Sequence, residues 1–156
     1  VAELDETTLG RADETLVKLR KALDLPGDEA SVLERLATLL RKLGRNEELA
    51  EILARQADAA LDPTVQAQHL TELGSLRLAL GDPRAAFEAW KSAAERAPEM
   101  PEAQQALRGL LDAGGETDRG LQAEILDVLE PLAEARGDAA EQVAIFERRA
   151  SLEEDA

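Results

Sequence analysis

The chain contains no cysteine, which removes disulfides, thiolate nucleophiles and cysteine-based metal sites together. It has a single histidine, His69, so two imidazoles cannot share a metal. No Ser–His or Cys–His pair is backed by a local motif. No residue is therefore assigned to catalysis, to a metal or to a cofactor. Tyrosine is absent, and aromatics make up 2% of the residues: Phe87, Trp90 and Phe146. A core of Leu and Ala with so few rings favours close-packed helices, because strands draw on β-branched and aromatic side chains. No apolar run reaches the length that spans a bilayer, so membrane insertion is not expected. Positive charge is scarce: 18 Lys and Arg face 33 Asp and Glu, for a net charge of −15. Nucleic-acid backbones and anionic lipid surfaces need clustered cations, so neither is an expected partner.

What is present suits one domain over residues 1–156, large enough to bury roughly 70% of the surface its unfolded form exposes. Hydrophobic residues make up 44% and charged residues 33%, which supplies both a core and a solvated face. The chain begins at Val1 with acidic residues and no secretory leader, and we expect it to be a segment of a longer protein. The lack of cysteine leaves the compartment open, with the cytoplasm as the default expectation.

Gly and Pro punctuate the chain at Leu25-Pro26-Gly27-Asp28, Gly44-Arg45-Asn46, Asp62-Pro63, Gly81-Asp82-Pro83, Pro98 to Pro101, Gly114-Gly115 and Gly137-Asp138. Helical periodicity fills the intervals. Eight helices are predicted, over 11–24, 29–43, 46–60, 64–80, 83–97, 101–113, 118–136 and 139–154. At 81–83, Gly81 can close one helix in the left-handed conformation, Asp82 can cap the next, and Pro83 suits its first position. Almost no linker remains, which forces an antiparallel hairpin. The same logic applies at Gly137-Asp138, and at 44–46 with Asn46 as the cap. Gly114-Gly115 lacks the Lys-Ser/Thr of a phosphate loop and reads as a helix-ending turn.

The apolar stripes are wide, as for helices buried on two sides. Ala30, Leu33, Leu36, Ala37 and Leu40 form one; Leu70, Leu73, Gly74 and Leu80 form another, widened by Leu76 and Ala79. Ala37, Gly74, Ala86 and Ala93 are small enough to let helix axes approach. Acidic pairs such as Glu47-Glu48 and Glu153-Glu154 fit helix starts and solvated faces better than paired catalytic carboxylates.

Residues 67–98 resemble a tetratricopeptide repeat. Leu73-Gly74 occupies the Leu-Gly pair, Ala86 and Ala93 the small slots of the second helix, Trp90 its aromatic slot and Pro98 the closing proline. Leu70 and Arg77 depart from the family's aromatic and Tyr. A second unit at 30–63 matches through Leu36 and Ala37. An internal repeat extends the pattern. The offset that carries Gly44 onto Gly137 also pairs Leu33 with Leu126, Leu36 with Leu129, Glu48 with Glu141, Ile52 with Ile145 and Arg55 with Arg148. We read it as one super-unit of six helices followed by the start of the next. The whole resembles a window from the long, degenerate tetratricopeptide-like arrays of some large bacterial proteins, and the excess of Arg over Lys fits a GC-rich source.

The resemblance implies an all-α fold, a right-handed α-α superhelix of about eight antiparallel helices. It implies a non-catalytic scaffold that binds another protein or peptide in a concave groove lined by the first helix of each hairpin. Those slots are Ser31, Glu34, Thr38, Arg41 and Lys42 in one repeat, and Gln68, Thr71 and Ser75 in the next. The family's clamp for C-terminal carboxylates uses Lys and Asn at such slots, and Gln68, Thr71 and Ser75 do not supply it. Trp90 is expected in the core and His69 at the surface or half-buried. Neither end looks capped: Val143, Phe146 and Ala150 would ordinarily meet a following repeat. The alternative reading is therefore an architectural segment that self-associates end to end.

Overall fold

The computed structural model describes residues 6–113 and 118–155. Those residues form eight helices and no strand: α1 (Glu6–Leu23), α2 (Glu29–Leu43), α3 (Asn46–Ala59), α4 (Pro63–Ala79), α5 (Pro83–Arg96), α6 (Pro101–Asp112), α7 (Arg119–Arg136) and α8 (Ala139–Glu154). Each helix packs on its neighbours in sequence, and α4 also meets α6 and α5 meets α7. This is the expected all-α solenoid of tetratricopeptide-like hairpins. The described part of α1 includes residues 6–10, ahead of the expected residue 11. The turn expected at Gly114-Gly115 lies outside the described residues.

The tight turns follow from backbone chemistry. Gly44, Gly81 and Gly137 have φ of 66°, 85° and 67°, a region that costs other residues energy. Each closes its helix with two crossed bonds. At the first, Gly44 N–H reaches Arg41 O and Arg45 N–H reaches Leu40 O, at 3.3 and 3.1 Å. Asp82 and Asp138 then accept from Ala85 N–H at 2.9 Å and Glu141 N–H at 3.0 Å, satisfying donors that every helix start leaves open. Asn46 is not the cap expected of it. The Gly44 turn leaves Arg45 in the cap position without a side-chain cap bond, and Asn46 becomes the first helical residue. Arg45 instead pairs with Asp13 on α1.

Packing centres on the α4–α5 hairpin. Ala86, Ala93 and Gly74 are buried in it, and Trp90 is 3% exposed. The indole lies across the Gly74 backbone, so closely that a Cβ there would sit 2.3 Å from Trp90 Nε1. That same Nε1–H donates to Thr71 O at 3.1 Å. One cluster of buried side chains runs from α4 through α8, another from α1 through α3 to Leu73 of α4 and Ala89 of α5, and Leu70 packs against both. The stripes hold in outline. Leu33, Leu36, Ala37 and Leu40 are buried. Ala30, in the first turn of α2, is exposed, as is Ala79 at the end of α4, and Leu80 lies past the end of α4 at 38% exposure.

Polar latches close the hairpins. Gln66 Nε2 donates to Ala60 O at 2.6 Å, and its Oε1 accepts from Arg96 Nε at the end of α5 at 3.0 Å. Gln104, fully buried, repeats the device: Nε2 donates to Pro98 O at 2.8 Å, and Oε1 accepts from Arg136 at the end of α7. A buried amide is tolerated because both of its ends are bonded. The long internal repeat is visible too, but its period is five helices (α2 to α6) rather than six, since α2–α3 maps onto α7–α8. Within it, Glu48 binds Arg20 of α1, and its counterpart Glu141 binds Arg108 of α6 and Arg136 of α7.

Two outcomes follow for stability. Gly74→Ala is expected to destabilise by about 1–3 kcal/mol, the range for overpacking a tight core, measured by urea unfolding. In a Trp90→Leu background the same change should cost little, because the ring it strikes is gone; an equal cost in both backgrounds would refute the contact. Glu141→Gln leaves Arg108 and Arg136 without their shared anion. It should cost about 1–3 kcal/mol, between the exposed and buried ion-pair ranges, and a change within error would show the cluster to be idle.

Candidate functional site

α2, α4 and α6 share one side of the stack. Arg41 of α2 donates through Nε and Nη2 to Glu72 Oε1 of α4 at 3.0 and 2.7 Å. Gln68, Thr71 and Ser75 of α4 share a shallow depression with Met100 and Glu102 at the start of α6. The expected groove residues are divided between two depressions, the second of which Glu72 also lines. Glu34, Thr38 and Lys42 line a depression against Thr15 and Leu19 of α1, while Gln68, Thr71 and Ser75 lie on the far side of the Arg41–Glu72 pair. Ser31 sits in the first turn of α2, where its N–H is held by Asp28 at 3.2 Å. Thr71 is half-buried and structural: its hydroxyl donates to Ala67 O at 2.7 Å and its carbonyl receives Trp90.

Between α2 and α4 there is a true cleft of about 600 Å³. Ala30 and Leu33 of α2 form one wall, Val65 and His69 of α4 the other, and the end of α3 supplies Gln56 and Ala59. Leu61, 98% exposed, stands at the mouth. The charged residues on the rim are Glu34 and Asp62, and neither Lys nor Arg lines it. Gln56 Oε1 is buried with no hydrogen-bond partner, an acceptor whose desolvation is uncompensated. Of the residues expected to line a groove, only Glu34 lines this cleft. Asp62, Val65, Leu61 and Gln56 were missed. The available signal was Leu61, a large apolar residue in a short polar connection, followed by Val65 in a first turn where nothing in the sequence required it.

His69 is half-buried, and its pKa is lowered from the ordinary value of 6.5. Desolvation is the main cause; Glu72 opposes it, Arg41 adds to it and Glu34 opposes it. The imidazole is therefore held towards its neutral form, which leaves the rim acidic at neutral pH.

A solved structure described as "Crystal structure of MamA", a helical protein containing tetratricopeptide repeats, superimposes on the chain with a TM-score of 0.52. The two are 21% identical, and the alignment covers 99% of this chain and 98% of that one. At that identity the likeness shows the fold: a tetratricopeptide-like helical repeat. No protein-family model matches the sequence, and comparison with curated proteins returns no match.

As the only histidine, His69 can be followed by NMR without ambiguity. Its midpoint is expected below 6.5, and Arg41→Ala should raise it by removing a nearby positive charge. The sign for stability follows: a lowered folded-state pKa means that the unfolded chain binds more protons, so this group's contribution is present above pH 6.5 and declines as pH falls towards the lowered pKa. A midpoint at or above 6.5 would contradict the burial of the ring.

Proposed function

We propose that this chain is a non-catalytic protein-interaction scaffold, and that the cleft between α2 and α4 is where a partner polypeptide seats. The observation that supports this most directly is the cleft itself: apolar walls from Ala30 and Val65, an acidic rim from Glu34 and Asp62, and an unbonded acceptor at Gln56. Such a site favours a segment that inserts an aliphatic side chain and brings N–H donors and positive charge. The net charge of −15 steers cationic partners towards the surface at long range. Ser31, Thr38, Arg41, Lys42, Gln68, Thr71 and Ser75 border the cleft or continue its side of the stack; we assign them to contact or support around it, with Thr71 in support. Proteins that lack a cationic segment are not expected partners.

A second reading, an architectural segment assembling through its ends, is favoured by a different observation: Val143 and Phe146 on α8 are 57% and 75% exposed.

The test compares two immobilised baits, the parent chain and a Glu34→Arg, Val65→Arg variant of matched thermal stability, against lysate of the organism that encodes it. A protein captured by the parent should be lost at least about tenfold with the variant, the scale expected when a central contact is removed. Its retention should also weaken as salt is raised. Equal capture by both baits, or capture indifferent to salt, would remove the cleft from the account.

A further inference from the structure

The cleft between α2 and α4 combines apolar walls with charge of one sign. Ala30 and Val65 line its sides, Ala59 lines its end at α3, and Leu61 stands at the mouth, 98% exposed. Its charged lining residues are Glu34 and Asp62. The cations of the surrounding helices are engaged elsewhere. Arg41 of α2 holds Glu72 at 2.7 Å, and Arg55 of α3 holds Glu29 at 2.7 Å. Arg35 and Lys42 line the depression shared with α1, and Glu34 stands between that depression and the cleft. Asp62 accepts from Thr64 N–H at 2.8 Å, a bond that leaves its full negative charge in place. α3 ends at the cleft, and its last turn carries no basic residue, so the negative end of its dipole adds to the same field.

Together these features select one kind of side chain. A purely aliphatic group would cover the walls but displace water from Glu34 and Asp62 without replacing it, which costs free energy. A short cation would meet the carboxylates and leave the walls bare. Lysine does both, since its methylenes lie along apolar surface while its ammonium stays at the polar rim. Arginine is as long, but its guanidinium is a planar fork that matches a single carboxylate edge. Here the acceptors come from three elements: Glu34 from α2, Gln56 from α3, whose Oε1 has no hydrogen-bond partner, and Asp62 from the N-cap of α4. The three diverging donors of an ammonium suit such a set. A second copy of this chain is a poor source of that lysine, because each copy carries a net charge of −15 and repels the other.

We propose that the cleft between α2 and α4 seats one unmodified lysine side chain of a partner polypeptide, its stem along Ala30 and Val65 and its ammonium between Glu34 and Asp62. The assignment rests on the scaffold reading of the same cleft and specifies the residue that the cleft takes. Acetylation of that lysine removes its charge and two of its donors, so the modified partner is released.

The test titrates the isotope-labelled chain, followed by NMR at fixed salt, with capped peptides Ala-Ala-X-Ala-Ala. X is lysine, arginine, norleucine, Nε-acetyl-lysine or diaminopropionate. The lysine peptide should shift the His69 ring and the Glu34 and Val65 amides. It should bind at least about tenfold more tightly than the norleucine and acetyl-lysine peptides, the scale of a hydrogen bond to a charged group. A similar margin is expected over diaminopropionate, which keeps the ammonium but returns three methylenes to water. The arginine peptide should bind more weakly than the lysine peptide. Glu34→Gln and Asp62→Asn keep the side-chain shape, and Asn still caps α4, so both should melt like the parent. Each should weaken the lysine peptide about threefold, the scale of one exposed ion pair. Norleucine, acetyl-lysine or arginine peptides that bind as tightly as lysine would overturn the proposal, as would variants that bind the lysine peptide unchanged. So would the absence of any shift at the cleft up to about 10 mM lysine peptide, the weak end of measurable affinity. The capture experiment with the Glu34→Arg, Val65→Arg bait separates the two readings. A partner lost with that bait, beside a cleft indifferent to the lysine peptide, keeps the scaffold reading and rejects the lysine; equal capture by both baits rejects the scaffold site itself.

Discussion

The approach of the Trp90 indole to the bare backbone of Gly74 sets the geometry on which the rest of the stack depends. Ring and main chain occupy space that a single methyl group at position 74 would contest. The indole N–H bonds Thr71 O, so the ring is fixed in rotation as well as in depth. This locks α4 to α5 in the most extensive helix pair of the chain. Leu73 and Ala89 then face the α1–α3 cluster, and Ala86 and Ala93 the α6–α8 cluster. Two halves that share few buried side chains are joined through one hairpin.

Outward from that hairpin, arginine does much of the registration. An acidic chain of this kind has few cations, and the structure places them between helices: Arg41 on Glu72, Arg55 on Glu29, Arg84 on Glu124, Arg108 and Arg136 on Glu141. Exposed pairs of this type contribute little individually. Their planar, multi-donor geometry still favours one helix register over its neighbours. The paired Gln latches work in the same direction with no net charge, and Gln104 shows that the device survives full burial when both amide ends are bonded.

Cleft and ends divide the surface by physical character. The cleft is concave, apolar at its walls and acidic at its rim, suited to a segment of modest size. The ends are flat helix faces with exposed aliphatic and aromatic side chains, suited to another helix. A repeat architecture permits both, because each hairpin packs mainly on its neighbours and leaves its other faces exposed.

Helix number, hairpin order and turn chemistry were legible in the residues themselves, because glycine's access to positive φ, aspartate's capping and proline's fixed φ are local properties. The small-residue and Trp90 slots were legible for a similar reason: close approach demands a particular size. Where two local signals competed, at 44–46, the glycine turn displaced Asn46 from the cap. The site was less legible. Of the expected groove residues Glu34 lines the cleft, Gln68, Thr71 and Ser75 line a neighbouring depression, and Asp62, Val65 and Gln56 were not singled out for a groove. A cleft is made by the separation of helices that meet only through side chains, as α2 and α4 do at Arg41 and Glu72, and no periodicity within one helix encodes that separation. The five-helix period has the same origin, since an offset along the chain counts residues, whereas the order of packing is decided by which faces meet. Local chemistry determined the elements and their hairpins; the gap between α2 and α4 was decided only when the helices packed.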